Sequence, residues 1–123
     1  MSAHPLDPAN VVLLAGTVSG PARRRTLPSG DELVEFDVTT RGPAGTRSAP
    51  VAWFSPGAIA DALEPGSAVF VAGVVRRRFF RAGTGTQSRT EVVAARVVAA
   101  TSRPAVKRLL ADVARSLADA APT

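Results

Sequence analysis

Residues 69–81, VFVAGVVRRRFFR, have no helical period, and apolar side chains fall at every second place as far as Val75. In an extended chain successive side chains leave opposite faces. Val69, Val71, Gly73 and Val75 therefore share one side, which reads as a core face, and Phe70, Ala72, Val74, Arg76, Arg78 and Phe80 share the other. Arg77, Phe79 and Arg81 take the side opposite Phe80, and are read as loop-borne or at an interface.

Working outward, the same period of two recurs on both sides of this strand. NVVLLAGTVSG (10–20) puts Val12, Leu14, Gly16 and Val18 on one face, with Gly16 where a strand bends or another backbone comes close. ELVEFDVTT (32–40) alternates Val34, Phe36 and Val38 with Glu35, Asp37 and Thr39, VAWF (51–54) is a short third strand, and TEVVAARVVAA (90–100) a fifth. Between them, PARRRTLPSG (21–30) reads as a turn-rich connection, RGPAGTRSAP (41–50) as a flexible loop, and Ala82 to Ser88 as a glycine-threonine loop that with its strands looks like a protruding hairpin. Ser55, Pro56, Ile59, Leu63 and the Pro65-Gly66 stop mark one short helix between the third and fourth strands. From Ser102 the period lengthens to nearly four. Val106, Leu109, Leu110, Val113 and Leu117 form the stripe of an amphipathic helix, open to packing on its own domain or on another chain.

Five strands with one short helix between the third and fourth is the element order of the OB-fold, an all-β five-stranded barrel, here followed by a C-terminal amphipathic helix. The division is a flexible arm over residues 1–9, the barrel over 10–100 and the helix over 101–123. At 123 residues there is room for one core, and ten glycines and ten prolines break the chain as often as a many-turned β domain requires.

The formal charge is +5, and all but one of the 15 basic residues are arginine. Such a balance favours polyanionic partners, although arginine in place of lysine is also what a GC-rich genome writes, so position rather than abundance decides. Without cysteine there are no disulfides, thiolate metal sites or cysteine nucleophiles. No apolar run approaches the length of a membrane span or a signal segment, so a cytoplasmic protein without membrane contact is expected. Catalysis finds few residues to work with. His4, the one histidine, lies in the arm; Asp31, Glu32, Glu35 and Asp37 have no histidine or second acidic cluster to complete a metal site; and Gly83-Thr84-Gly85-Thr86 lacks the lysine and helix of a phosphate loop. No enzyme activity and no cofactor are expected.

Arg76, Arg78 and Phe80 combine the chemistries that a single nucleic-acid strand takes, cations for phosphates and a flat ring for a base. Phe54 leaves the third strand on the side opposite Trp53, which is placed inward. For both phenylalanines the competing assignment is core filling. Arg81 and the run Arg23, Arg24 and Arg25 are candidate phosphate contacts at the groove edge, with Arg41 and Arg47 behind them; a solvated turn is the alternative for the run.

NVVLLAGTVSGPARRR, PSGDELVEFDVTT, VAWF, EPGSAVFVAGVVRRRFF and TEVVAARVVA resemble, in order and spacing, the bacterial single-stranded DNA-binding protein (SSB) family over residues 10–100. The resemblance is to a divergent, actinobacterial-like paralogue. It implies an OB-fold that assembles as a homotetramer or dimer and wraps single-stranded DNA, with Phe54 and Phe80 as stacking platforms and Arg76 and Arg78 beside the DNA path. Ser48 stands where the family commonly has a stacking tryptophan, and none follows near Thr40 and Arg41. The sequence ends in Ala-Pro-Thr rather than in the family's acidic tip, so recruitment of repair enzymes through such a tail is not expected. The implied function is non-catalytic, sequence-tolerant single-strand binding in replication, recombination or repair, at the nucleoid. The alternative is an OB-fold protein-interaction or assembly module, including a primosome-type accessory factor, with weak DNA binding.

Overall fold

The computed structural model describes residues 6–120. Its elements are β1 (Val12–Thr26), β2 (Glu32–Gly42), β3 (Gly45–Phe54), a short 3-10 helix (Ala58–Ala62), β4 (Ala68–Ala82), β5 (Gly85–Ala99) and α1 (Arg103–Ala118). The strands close in the order β1-β2-β3-β5-β4, with β4 returning to β1. Every ladder is antiparallel except the short β3–β5 pairing at Val51–Val92 and Ala52–Val93. The OB-fold read from the sequence is the fold of the protein.

Alternation decides what fills the barrel. Val34, Phe36 and Val38 of β2 meet Val51 and Trp53 of β3, Val18 of β1, Val69 and Val71 of β4, and Val92, Ala94 and Val97 of β5. Two glycines let strands cross at the distance closure requires. A Cβ on Gly16 would lie 2.2 Å from the Thr39 carbonyl oxygen, and one on Gly73 would lie 2.0 Å from that of Val93. Val75, expected on the core face, is 44 % exposed, because β4 has by then passed the end of the barrel.

One residue of β5 has no partner. Ala72 faces Arg96 but Gly73 faces Ala94, leaving Ala95 as a β-bulge. The bulge reverses the parity of β5, so that Val92 and Ala94 on one side of it and Val97 on the other all point inward. Arg96 is thereby kept out of the core and reaches Asp112 on α1.

The three expected connections are shorter than their composition implies. β1 continues through Arg23–Arg25, and only residues 27–31 turn, with the Leu27 amide donating to the Asp31 carbonyl. RGPAGTRSAP is almost all strand, with Gly42 facing Gly45 across Pro43 and Ala44. Ala82 likewise faces Gly85 across Gly83 and Thr84. Hydroxyls and glycines that read as loop are compatible with a two-stranded ribbon wet on both faces, where the ladder satisfies the backbone. The expected helix after Ser55 shrinks to the 3-10 turn, whose N-cap is Gly57 without a side-chain cap bond. So short a segment cannot offset the cost of helix nucleation.

The amphipathic stripe of α1 packs on its own barrel. Leu109 and Val113 are buried against Ala72, with Phe70, Val98, Val11 and Leu6 around them. Leu110 and Leu117 stay 40 % and 55 % exposed. Asp112 bonds both Arg96 and Arg115. Part of the expected arm is tied in, since Leu6 joins the cluster under α1; just after the arm, the Asn10 side chain donates to the Val75 carbonyl (2.8 Å) and accepts from its amide (3.0 Å). His4 lies outside the described residues.

Replacing Gly73 by alanine forces backbone apart at the β4–β5 crossing and is expected to cost about 1 to 3 kcal/mol, as overpacking does. A lower urea midpoint at unchanged slope is the readout. The carboxyl of Asp112 is held below its ordinary value of 3.8, first by the hydrogen bond from Arg115 and, against the opposing effect of burial, also by that from Arg96. Because its folded value is lowered, its contribution is present above 3.8 and lost as pH falls through that lowered value. Protection of the α1 amides, taken relative to their intrinsic exchange rate at each pH, is expected to fall on acidification below 3.8 in the wild type, and to be less pH-sensitive there in Asp112→Asn.

Candidate nucleic-acid interface

The outward side chains of four adjacent strands make one face. Register places Leu33 and Glu35 of β2 beside Phe54 and Ala52 of β3, and Arg76, Arg78 and Phe80 of β4 opposite Glu91, Arg89 and Gln87 of β5. Leu33 and Ala52 are buried here without belonging to the barrel core, and form an apolar floor. Above it lies a groove of about 120 Å³ whose walls include Leu27, Phe54 and the guanidiniums of Arg25, Arg76 and Arg78.

A single carboxylate organises the cations. Glu91 is 2 % exposed and accepts at the same Oε2 from Arg76 Nε (2.9 Å) and Arg78 Nε (3.0 Å), with Arg76 Nη2 in ion-pair contact at 2.8 Å. Arg89 Nε stands 3.5 Å from its Oε1 and, among the described residues, has no hydrogen-bond partner. Burying a charge is costly unless it is paired, and here three guanidiniums surround one anion, leaving two positive charges in excess. Two of the arginines are also held against rings: Arg76 lies 5.3 Å from the Phe54 centroid and Arg78 5.3 Å from that of Phe80. Each guanidinium is thus fixed between a carboxylate and an aromatic face.

The sequence singled out Arg76 and Arg78 as cations in an open groove; they face both the groove and an acid, and Glu91 and Arg89 were missed. The signal was available once the hairpin was known to be tight. Counting back from a turn at Gly83-Thr84 puts Arg76 opposite Glu91 and Arg78 opposite Arg89. Reading Ala82 to Ser88 as a loop concealed it.

Phe54 is half-buried and Phe80 is 36 % exposed, so neither fills the core, while Trp53 does. Arg25 joins the groove rim, 3.7 Å from Glu35, and Arg23 stands exposed opposite Glu35. The remaining candidates are elsewhere. Arg24 turns to Glu32 (3.5 Å) and Asp61, and the hydrogen bond it donates to Asp61 raises its pKa further. Arg41 and Arg47 sit near the far end of the β2–β3 hairpin, opposite Thr46 and Thr40 and hence on opposite faces. Arg81 lies on the reverse of the β4–β5 hairpin, opposite Thr86.

A barrel closed in this order, with an arginine-rich, ring-bearing outer face, is an OB-fold domain equipped for a flat, anionic ligand. Among solved structures it is similar to that of the Plasmodium falciparum SSB in complex with ssDNA, with a TM-score of 0.61 and 20% sequence identity over 73% of this chain and 93% of that one. At that identity the likeness is one of fold. No protein-family profile matches the chain, and no curated protein does.

Arg76→Ala alone leaves Glu91 two cationic neighbours and is expected to change stability little. Arg76→Ala with Arg78→Ala leaves the buried carboxylate without a hydrogen-bonding arginine and is expected to cost about 1 to 3 kcal/mol. Urea midpoints of the single and double variants, compared with that of wild type, are the check.

Proposed function

We propose that this protein binds single-stranded DNA, without catalysis and with little sequence preference, as an SSB-like OB-fold protein. The observation that carries the proposal is the outer face on which Phe54 and Phe80 lie beside Arg76 and Arg78 around one buried carboxylate. Rings accept bases of any identity by stacking, and guanidiniums take phosphates. The shared fold with an SSB solved in complex with ssDNA supports the same ligand class. Roles in replication, recombination or repair, a place at the nucleoid and assembly as a dimer or tetramer belong to this proposal. Among the described residues no helix is long and apolar enough to cross a membrane.

Anisotropy of a labelled oligothymidine is expected to rise with protein at low salt, with log K falling by about 0.7 per log salt for each phosphate neutralised. Phe80→Ala should weaken binding by about 5- to 150-fold, the equivalent of one stacked base at about 1 to 3 kcal/mol. No binding at low salt, or duplex bound as tightly as single strand, would overturn the proposal.

A second function, as an assembly module, is supported by Leu110 and Leu117, which α1 leaves exposed after packing on the barrel. If they form a contact between copies, Leu110→Ser with Leu117→Ser lowers the mass measured by light scattering.

A further inference from the structure

β1 pairs with β4 only as far as Gly73, and β3 pairs with β5 only at Val92 and Val93. Beyond them, from Arg76 opposite Glu91 out to Ala82 opposite Gly85, β4 and β5 pair with each other alone, as a two-stranded ribbon about 20 Å long at strand rise. Such a ribbon has two open faces. The one bearing Arg76, Arg78 and Phe80 continues the groove. Its reverse carries Arg77, Phe79 and Arg81, opposite Thr90, Ser88 and Thr86.

The reverse face repeats the chemistry of the front with a different charge balance. No carboxylate is among its six side chains. Arg77 lies 5.6 Å from the Phe79 centroid and donates from Nε (3.3 Å) and Nη2 (3.1 Å) to Ser88 Oγ. Among the described residues neither Arg77 nor Arg81 makes an ion pair, whereas Arg76 and Arg78 share Glu91. Phe79 is 68 % exposed, more than any other large apolar side chain described. Two arginines about 13 Å apart along the strand, with a ring between them, match a chain that alternates anionic phosphates with flat bases.

We propose that the reverse face of the β4–β5 ribbon is a second contact for the same single strand, so that the ribbon is gripped on both sides. The inference rests on the proposed single-strand binding and extends it to Arg77, Phe79 and Arg81. A second copy of this chain is the less suitable occupant. A two-fold contact through this face would set the same arginines against one another with no carboxylate between them.

Tryptophan placed at each ring separates the outcomes, because the native Trp53 is buried in the core at 6 % exposure and supplies a constant background. Saturating oligothymidine is expected to quench the emission of Phe79→Trp as well as that of Phe80→Trp. Arg77→Gln with Arg81→Gln should lower the salt slope of log K by about 1.4, two phosphates at about 0.7 each. Quenching of Phe80→Trp with Phe79→Trp unchanged, or an unchanged salt slope, would overturn the second contact and leave the first intact. A fall in mass of the double arginine variant would identify the face as a contact between copies and also overturn it. If the wild type binds no oligothymidine, the underlying single-strand binding fails instead.

Discussion

Ala95 has no partner in β4, and because of that one surplus residue the charges on both sides of it on β5 leave the barrel. A strand of strict alternation that turned Val92 and Ala94 inward would also turn Arg96 and Val98 inward, setting a guanidinium in the barrel. The bulge shifts the parity between Ala94 and Val97. Glu91 and Arg96 can then both face outward from one strand, the first under Arg76 and Arg78, the second toward Asp112 of α1.

The same shift divides the outer surface of β4 into two regions with separate duties. Near its start, Phe70 and Ala72 lie under Leu109 and Val113, so α1 seals that part from water. Past Gly73 the strand leaves the helix and the barrel behind and carries arginines and phenylalanines instead. Stability and the proposed recognition therefore reside in successive segments of one strand, joined at a glycine whose lack of a side chain lets the Val93 carbonyl come close. Glu91 is where the two meet. Its burial requires the arginines, and the arginines owe their orientation to it.

The fold was legible because its barrel strands keep period two where they bury one face: Val34, Phe36 and Val38 on β2, and Val69 and Val71 on β4, are core residues as their spacing requires. Legibility ended where burial ended. Val75 keeps the apolar parity yet lies in solvent, and Arg23–Arg25, Arg41–Gly42, Gly45–Arg47 and Thr86–Ser88 are strand although their composition is that of loops. A ribbon wet on both sides leaves no hydrophobic record of its pairing. Composition there reports exposure, not conformation. Parts of the site were legible by parity, which put Phe54 outward and Trp53 inward and set Arg76, Arg78 and Phe80 on one face. What parity could not supply was the cross-strand partner, since the register of Arg76 against Glu91 depends on a turn of two residues.

Phe54, Phe79 and Phe80 each carry a guanidinium on one side of the ring. At Phe79 and Phe80 a planar guest would therefore stack on the side opposite the guanidinium. Its other side remains available to the next member of its own column, so these platforms terminate a stack rather than interrupt it.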